Sequence, residues 1–245
     1  KDLPLPEAIH AAKNAGFDAV ECHEPYQYPA EEVHEALKDT GFEMLGLNSR
    51  RGEPELGECG LAAVPGREAD ARNIIDEAIE YAVGIHCKNI HVIAGKTQRT
   101  PDAEETFQKN LTYAAQKASN HGKTILIEPL NLLDNPGYHL STLDEALVTL
   151  EAVNHPSLKI MFDCYHLQIM QGNLLQRLQK HLPKIGHIQF ANAPGRTEPD
   201  KGEINFPWLF AEIDRIGWNG FLGAEYIPLE KTEESLGWLQ IFKRS

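Results

Sequence analysis

Residues 158–190 read LKIMFDCYHLQIMQGNLLQRLQKHLPKIGHIQF, and this stretch decides the fold. Two short apolar runs, Leu158–Asp163 and Ile185–Phe190, flank a longer and more polar segment. Short, nearly continuous apolar runs are typical of strands buried on both faces of a parallel sheet. A strand, a helix and a second parallel strand form one crossover unit, which is right-handed in nearly all proteins.

The same alternation extends over the rest of the chain. The further strands predicted are Asp18–His23, Phe42–Asn48, Asn89–Ala94, Thr124–Glu128 and Phe221–Tyr226. The helices predicted include Pro4–Ala15, Gly66–Ile85, Asp102–Asn120, one that starts at Ser141, Phe206–Ile216 and Thr232–Phe242. Such an alternation indicates an α/β fold, and 245 residues is a usual length for one (β/α)8 barrel. We therefore predict a single TIM-barrel domain over residues 1–245.

The alternation opens on the helix Pro4–Ala15 rather than on a strand. We therefore expect a barrel without its first strand, either because the given sequence begins just after that strand or because the barrel is open there. A doubly wound open sheet is the alternative architecture. It is disfavoured because no glycine-rich phosphate loop follows an early strand.

The charge and cysteine content narrow the classes of partner. The formal net charge is −13, which repels nucleic acid and anionic membranes. No apolar run approaches the length that crosses a bilayer. The four cysteines have no metal-binding spacing and are expected to be reduced thiols in a cytoplasmic protein. A homo-oligomer is compatible with these features.

Four polar side chains end four successive predicted strands: Glu128, Asp163, Gln189 and Glu225. Barrel enzymes carry their active sites at the carboxyl ends of the strands, and neighbouring strands lie about 5 Å apart. Taken singly, each carboxylate is more simply explained as a side chain that ends a strand and is solvated by water. All four together form an oxygen-only set that suits one divalent ion, Mg²⁺ or Mn²⁺.

Two further residues are candidates for substrate binding. His166 lies three residues after Asp163, and it either contacts substrate or packs at the start of a helix. Arg196 follows a Pro-Gly turn and can hold a carboxylate with two parallel hydrogen bonds, or can be an exposed surface arginine. His187 shares a strand face with Gln189 and is an alternative ligand, one layer deeper in the barrel. Glu21 and Asn48 also end strands and are weaker pocket candidates.

At these residues the sequence resembles the hydroxypyruvate isomerase family of the xylose-isomerase-like barrel superfamily. The matching stretches include IEPLN at 127–131, FDCYHLQIMQGNL at 162–174, GHIQFANAPGRTEP at 186–199 and AEYIPLEKTEESLGWL at 224–239. The resemblance implies that Glu128, Asp163, Gln189 and Glu225 bind the metal. It also implies that Glu128 and Glu225 are the catalytic acid–base pair, with His166 and Arg196 at the substrate.

The resemblance further implies an isomerase that shifts a proton between adjacent carbons through an enediolate. Hydroxypyruvate and tartronate semialdehyde are the expected pair. A 2-oxo-tetronate isomerase and a ketose 3-epimerase are the nearest alternatives. A non-catalytic sugar-acid binding protein and an abasic-site endonuclease are more remote, and the acidic charge argues against the endonuclease.

Overall fold

A curled parallel sheet forms the centre of the computed structural model, which describes residues 3–242. Its strands are β1 Gly46–Asn48, β2 Asn89–His91, β3 Thr124–Ile127, β4 Leu158–Asp163, β5 Ile185–Phe190 and β6 Leu222–Ala224. Neighbours in the sheet follow the order of the sequence, and every pair is parallel. All six carboxyl ends therefore lie on the same rim. The ends of the predicted domain, residues 1–2 and 243–245, lie outside the described residues.

The predicted strand Asp18–His23 runs beside β1 without forming a regular strand. Leu45 donates its backbone N–H to the carbonyl of Val20 at 2.7 Å, and Asn48 donates to that of His23 at 2.8 Å. Val20 and Met44 form an isolated parallel bridge. The segment still lies where the sequence predicts it.

Helices connect the strands. They are α1 Leu5–Ala15, α2 Ala30–Thr40, α3 Glu68–Gly84, α4 Pro101–Ser119, α5 Leu143–Val153, α6 Cys164–Met170, α7 Leu174–His181, α8 Phe206–Arg215 and α9 Gly237–Phe242. The cap of α5 is Thr142, one residue after the predicted Ser141, and it forms a capping box with Glu145. The predicted helix Thr232–Phe242 is divided into a 3-10 turn over Thr232–Leu236 and α9.

The core lies between the outer surface of the sheet and the helices. Ile125, Ile160 and Ile188 are fully buried on β3, β4 and β5, and Phe107 and Leu111 of α4 belong to the same continuous apolar cluster. This packing explains why the strands read as continuous apolar runs. It also fixes the strand ends rigidly, so that the side chains on the rim are held in place.

Residues 50–65 form the irregular connection between β1 and α3, as predicted, and a glycine fastens it to the sheet. Gly60 donates its N–H to the carbonyl of Arg51 at 2.7 Å and forms an antiparallel bridge with Ala94. Gly60 has a φ of +94°, and a Cβ added there would lie 2.4 Å from the carbonyl oxygen of Ile93. Only glycine fits this close approach without a shift of the backbone.

We expect Gly60→Ala to destabilise the protein by about 2–4 kcal/mol, because the left-handed conformation and the backbone clash both carry a cost. Gly57→Ala is the matched control: its φ is +74° and nothing lies within 4 Å of an added Cβ, so only the conformational cost of about 1 kcal/mol applies. Urea unfolding of both variants measures the difference. Equal stabilities would contradict the close approach of Gly60 to Ile93.

Candidate active site

The four residues predicted at strand ends do lie along one rim of the sheet. Glu128 directly follows β3, Asp163 ends β4 and Glu225 directly follows β6. Gln189 lies on β5, where its Cα pairs in register with Asp163 on one side and Gly223 on the other. Of the four, Asp163 and Gln189 share a register, and Glu128 and Glu225 reach the same rim from the ends of β3 and β6.

Arg196 links two of these carboxylates. Its Nη2 lies 3.2 Å from Oδ2 of Asp163 and 2.8 Å from Oε1 of Glu225. Its Nε donates to the backbone carbonyl of Glu225 at 3.0 Å, and its guanidinium lies over the ring of Tyr165. Arg196 is therefore not an exposed surface residue. Most of its hydrogen-bond donors already contact Asp163 and Glu225, so few remain for a substrate carboxylate.

His166 is buried beside Glu128 and Asp163. Its Nδ1 accepts the backbone N–H of Asn131 at 3.1 Å, so in the neutral ring the proton is on Nε2. That Nε2 lies 3.8 Å from Oε1 of Glu128 and 3.6 Å from Oδ2 of Asp163, without a hydrogen-bond partner in the described chain. Burial lowers the pKa of His166, so the ring favours its neutral form. The ring can thus donate one hydrogen bond into the site.

Gln189 is oriented by a layer of polar residues deeper in the barrel. Its Nε2 donates to Oε1 of Glu21 at 3.2 Å, and the other oxygen of Glu21 lies 2.8 Å from Nε2 of His187. Gly223 makes room for this carboxylate, since an added Cβ would lie 2.3 Å from it. The amide therefore turns its oxygen away from Glu21. That oxygen is buried and has no hydrogen-bond partner among the described residues.

Sequence reasoning did not single out two histidines of this site. His91 ends β2, and its Nδ1 lies 3.5 Å from Oε2 of Glu128. Burial lowers the pKa of His91 to about 3, so the ring is neutral. His23 lies 2.8 Å from Oε1 of Glu225. A histidine at the end of a strand would have indicated a site residue. The predicted strand ran to Ala94, so His91 was expected inside the strand and not at its end.

The two glutamates have opposite electrostatic environments. Burial, followed by the charges of Glu225 and Asp163, raises the pKa of Glu128 well above its ordinary value. Burial alone would also raise the pKa of Glu225, but the hydrogen bond from His23 and the charge of Arg196 hold that pKa at about 2. Such a division is typical of acid–base pairs, although a bound cation lowers the pKa of both groups.

The donor set fits a metal ion. One ligand atom each from Glu128, Asp163 and His166 lies within 4.8 Å of the others. Oε1 of Glu128 and Oε1 of Gln189 are buried without a hydrogen-bond partner in the described part of the chain, which is costly unless another group binds them. Three crowded carboxylates facing one arginine also leave negative charge for a cation to neutralise.

A small cavity of about 80 Å³ opens at this rim. Its lining residues are His23, Asn48, Arg51, Cys59, His91, Ile93, Glu128, Leu130, Asn135, His166, Arg196 and Glu225. The volume holds several water-sized groups, so it fits a small molecule.

Elsewhere, none of the helices within residues 3–242 is both long and apolar enough to cross a membrane.

Acids, an amide, histidines and arginines around a small cavity at the carboxyl ends of parallel strands define an α/β-barrel enzyme. The profile of one family, described as xylose isomerase-like TIM barrel, matches residues 9–242. The chain belongs to this family, and its named relatives identify it as an isomerase.

Two of those relatives are curated isomerases. The 2-oxo-tetronate isomerase of Cupriavidus necator is 43% identical over 94% of this chain and 90% of its own length. The hydroxypyruvate isomerase of Escherichia coli is 38% identical over 95% of this chain and 91% of its own. Among solved structures, a family 2 AP endonuclease from Brucella melitensis is 38% identical, with a TM-score of 0.95 over 99% of this chain and 95% of its own.

Proposed function

We propose that the protein interconverts a small 2-keto hydroxy acid and its aldehyde isomer, with hydroxypyruvate and tartronate semialdehyde as the preferred pair. The observation that carries this proposal is that Glu128 and Glu225 line the same small cavity. An aldose–ketose isomerisation needs a group that removes a proton from one carbon and a group that supplies a proton to the next. The Escherichia coli relative, named hydroxypyruvate isomerase, supports the three-carbon acid as the preferred substrate.

The proposed cofactor is one divalent ion, Mg²⁺ or Mn²⁺, held by Glu128, Asp163, Gln189 and Glu225. The unpartnered oxygens of Glu128 and Gln189 support this set, and all four residues offer oxygen, which these ions prefer. His166 is left out of the set because its Nε2 carries the proton when Asn131 donates to Nδ1. When bound, such an ion polarises the substrate oxygens and makes the adjacent carbon-bound proton more acidic.

In this proposal the chain's own side chains position the substrate and move the proton. One of the two glutamates removes a proton from the CH2OH carbon, and the other returns a proton to the former ketone carbon. The hydroxyl proton of the CH2OH group moves to the former ketone oxygen, so that the aldehyde and the new hydroxyl group both form. His166 donates its Nε2–H to a substrate oxygen. Arg196, which also lines the cavity, keeps Glu225 oriented through its carboxylate and backbone carbonyl and faces the substrate.

The alternatives differ in substrate size and charge. A 2-oxo-tetronate is one carbon longer than hydroxypyruvate, and the Cupriavidus necator relative supports it as a second substrate. The Brucella melitensis structure is described as an AP endonuclease, but a net charge of −13 and a small cavity disfavour binding of DNA to this chain. A binding protein without catalysis has no need for a paired acid and base.

A substrate panel tests the proposed function. The purified protein, supplied with Mg²⁺ or Mn²⁺, is offered hydroxypyruvate, 2-oxo-tetronates, dihydroxyacetone and ketohexoses at equal concentration. We expect the highest kcat/KM for hydroxypyruvate and loss of turnover after chelation of the metal. Turnover of a ketohexose alone, or of none of the panel, would contradict the proposal.

A further inference from the structure

Two neighbouring arginines, Arg50 and Arg51, have different surroundings. Arg50 donates through Nε and Nη2 to the two carboxylate oxygens of Glu77 at 2.6 and 2.9 Å, and its guanidinium lies 4.4 Å from the ring centre of Tyr26. This bidentate, stacked arrangement fixes Arg50 against α3. Arg51 instead lines the active-site cavity, together with Glu128 and Glu225.

The backbone of Arg51 is fixed at the mouth of the barrel. Its carbonyl accepts the N–H of Gly60, and Gly60 bridges to Ala94 just beyond the end of β2. The guanidinium contacts Glu24, with Nε 3.3 Å from Oε1. This contact uses the Nε atom of the guanidinium, so its two Nη atoms can donate hydrogen bonds to a second carboxylate.

The other arginine of the cavity is already engaged. Arg196 faces Asp163 and Glu225, and its charge is largely balanced by those two acids. A substrate carboxylate beside Arg196 would also lie close to Asp163 and Glu225, and like charges repel strongly in a buried site. Arg51 is half-exposed at the entrance, and within residues 3–242 its close acidic partner is Glu24 alone, so an anion meets less repulsion there.

We propose that Arg51 binds the carboxylate of the substrate and selects keto acids over neutral ketoses. A short acid held at Arg51 extends toward Glu128, Glu225 and His166, which line the same cavity. A carboxylate can form two parallel, ion-paired hydrogen bonds with a guanidinium, and a neutral ketose has no carboxylate with which to form them. This inference rests on the proposed function for the identity of the acid.

The test compares Arg51→Gln with the neighbouring control Arg50→Gln. Hydroxypyruvate and dihydroxyacetone are the probes, because they differ mainly in a carboxylate against a CH2OH group. Dissociation constants are measured by calorimetry on the metal-loaded protein, alongside KM and kcat. We expect Arg51→Gln to raise the Kd and KM for hydroxypyruvate by about 10- to 100-fold with little change in kcat. Binding of dihydroxyacetone should not change, and Arg50→Gln should leave both ligands unaffected.

Arg51→Lys keeps the charge but loses the fork, so it should give an intermediate Kd for hydroxypyruvate. Equal hydroxypyruvate Kd values for wild type and Arg51→Gln would overturn the inference, as would equal weakening for both probes or no binding of hydroxypyruvate to wild type. If wild type binds hydroxypyruvate through Arg51 but does not isomerise it, the proposed function fails while the carboxylate site stands.

Discussion

Glu128→Gln and Glu225→Gln should each lower kcat by at least about 100-fold, because each removes a group that carries a proton while keeping the shape of the side chain. Glu128 is buried between His91, His166 and Asp163, and Glu225 accepts contacts from His23 and Arg196. An amide in either place can still occupy its site. It cannot remove or deliver a proton at the substrate carbon.

Glu104→Gln is the matched control for these two variants. Glu104 also contacts a histidine, since its Oε2 lies 3.1 Å from Nε2 of His139, but it does not line the cavity. We expect this variant to keep its kcat within about threefold of wild type, because Glu104 lies away from the cavity and its amide can keep the same hydrogen-bonded neighbours. Full activity in both Glu128→Gln and Glu225→Gln would show that neither glutamate moves the proton.

Asp163→Ala should abolish stoichiometric metal binding, and Asp163→Asn should weaken it by at least about 100-fold, since even partners of a ligand typically contribute 10- to 100-fold. Asp163 is fully buried. Its Oδ1 accepts the N–H of Tyr165, and its Oδ2 lies beside His166 and Arg196. Asparagine can keep the contact with Tyr165 while losing the charge. Elemental analysis after dialysis and calorimetric titration with Mn²⁺ measure the loss.

Asp134→Asn provides the comparison for the metal experiment. Asp134 accepts hydrogen bonds from Asn131 and from the hydroxyl of Tyr165, so it belongs to the same polar region without belonging to the proposed ligand set. Its replacement should leave the metal content unchanged. Wild-type metal content in Asp163→Ala would show that the ion, where one binds, is held elsewhere.

The strand ends of the site could be predicted from the sequence because each one follows a buried apolar run. Parallel pairing then places Glu128, Asp163, Gln189 and Glu225 on one rim, whatever the connecting helices do. The regular strands are shorter than the apolar runs. Phe42–Asn48, for example, has regular pairing only from Gly46 onward, because hydrophobicity marks burial and not hydrogen bonding.

The contacts missed from the sequence depend on loops that long-range packing fixes. The entry of Arg51 into the cavity depends on the approach of Gly60 to Ile93, which no local pattern encodes. The pairing of Arg196 with Glu225 depends on its positive φ of 55° and on a carbonyl 29 positions along the chain. Local spacing names such residues as candidates, and only the folded loop decides which partner each one has.

The most direct test of the central claim is NMR of the hydroxypyruvate reaction in deuterated water. Proton transfer through two glutamates, which exchange their protons with solvent, predicts deuterium at the former ketone carbon of tartronate semialdehyde. Reversal predicts deuterium at the CH2OH carbon of recovered hydroxypyruvate. Samples without enzyme, and with Glu225→Gln, correct for spontaneous exchange. Absence of deuterium from both carbons after many turnovers would contradict the account and favour a direct hydride shift or a shielded single-base transfer.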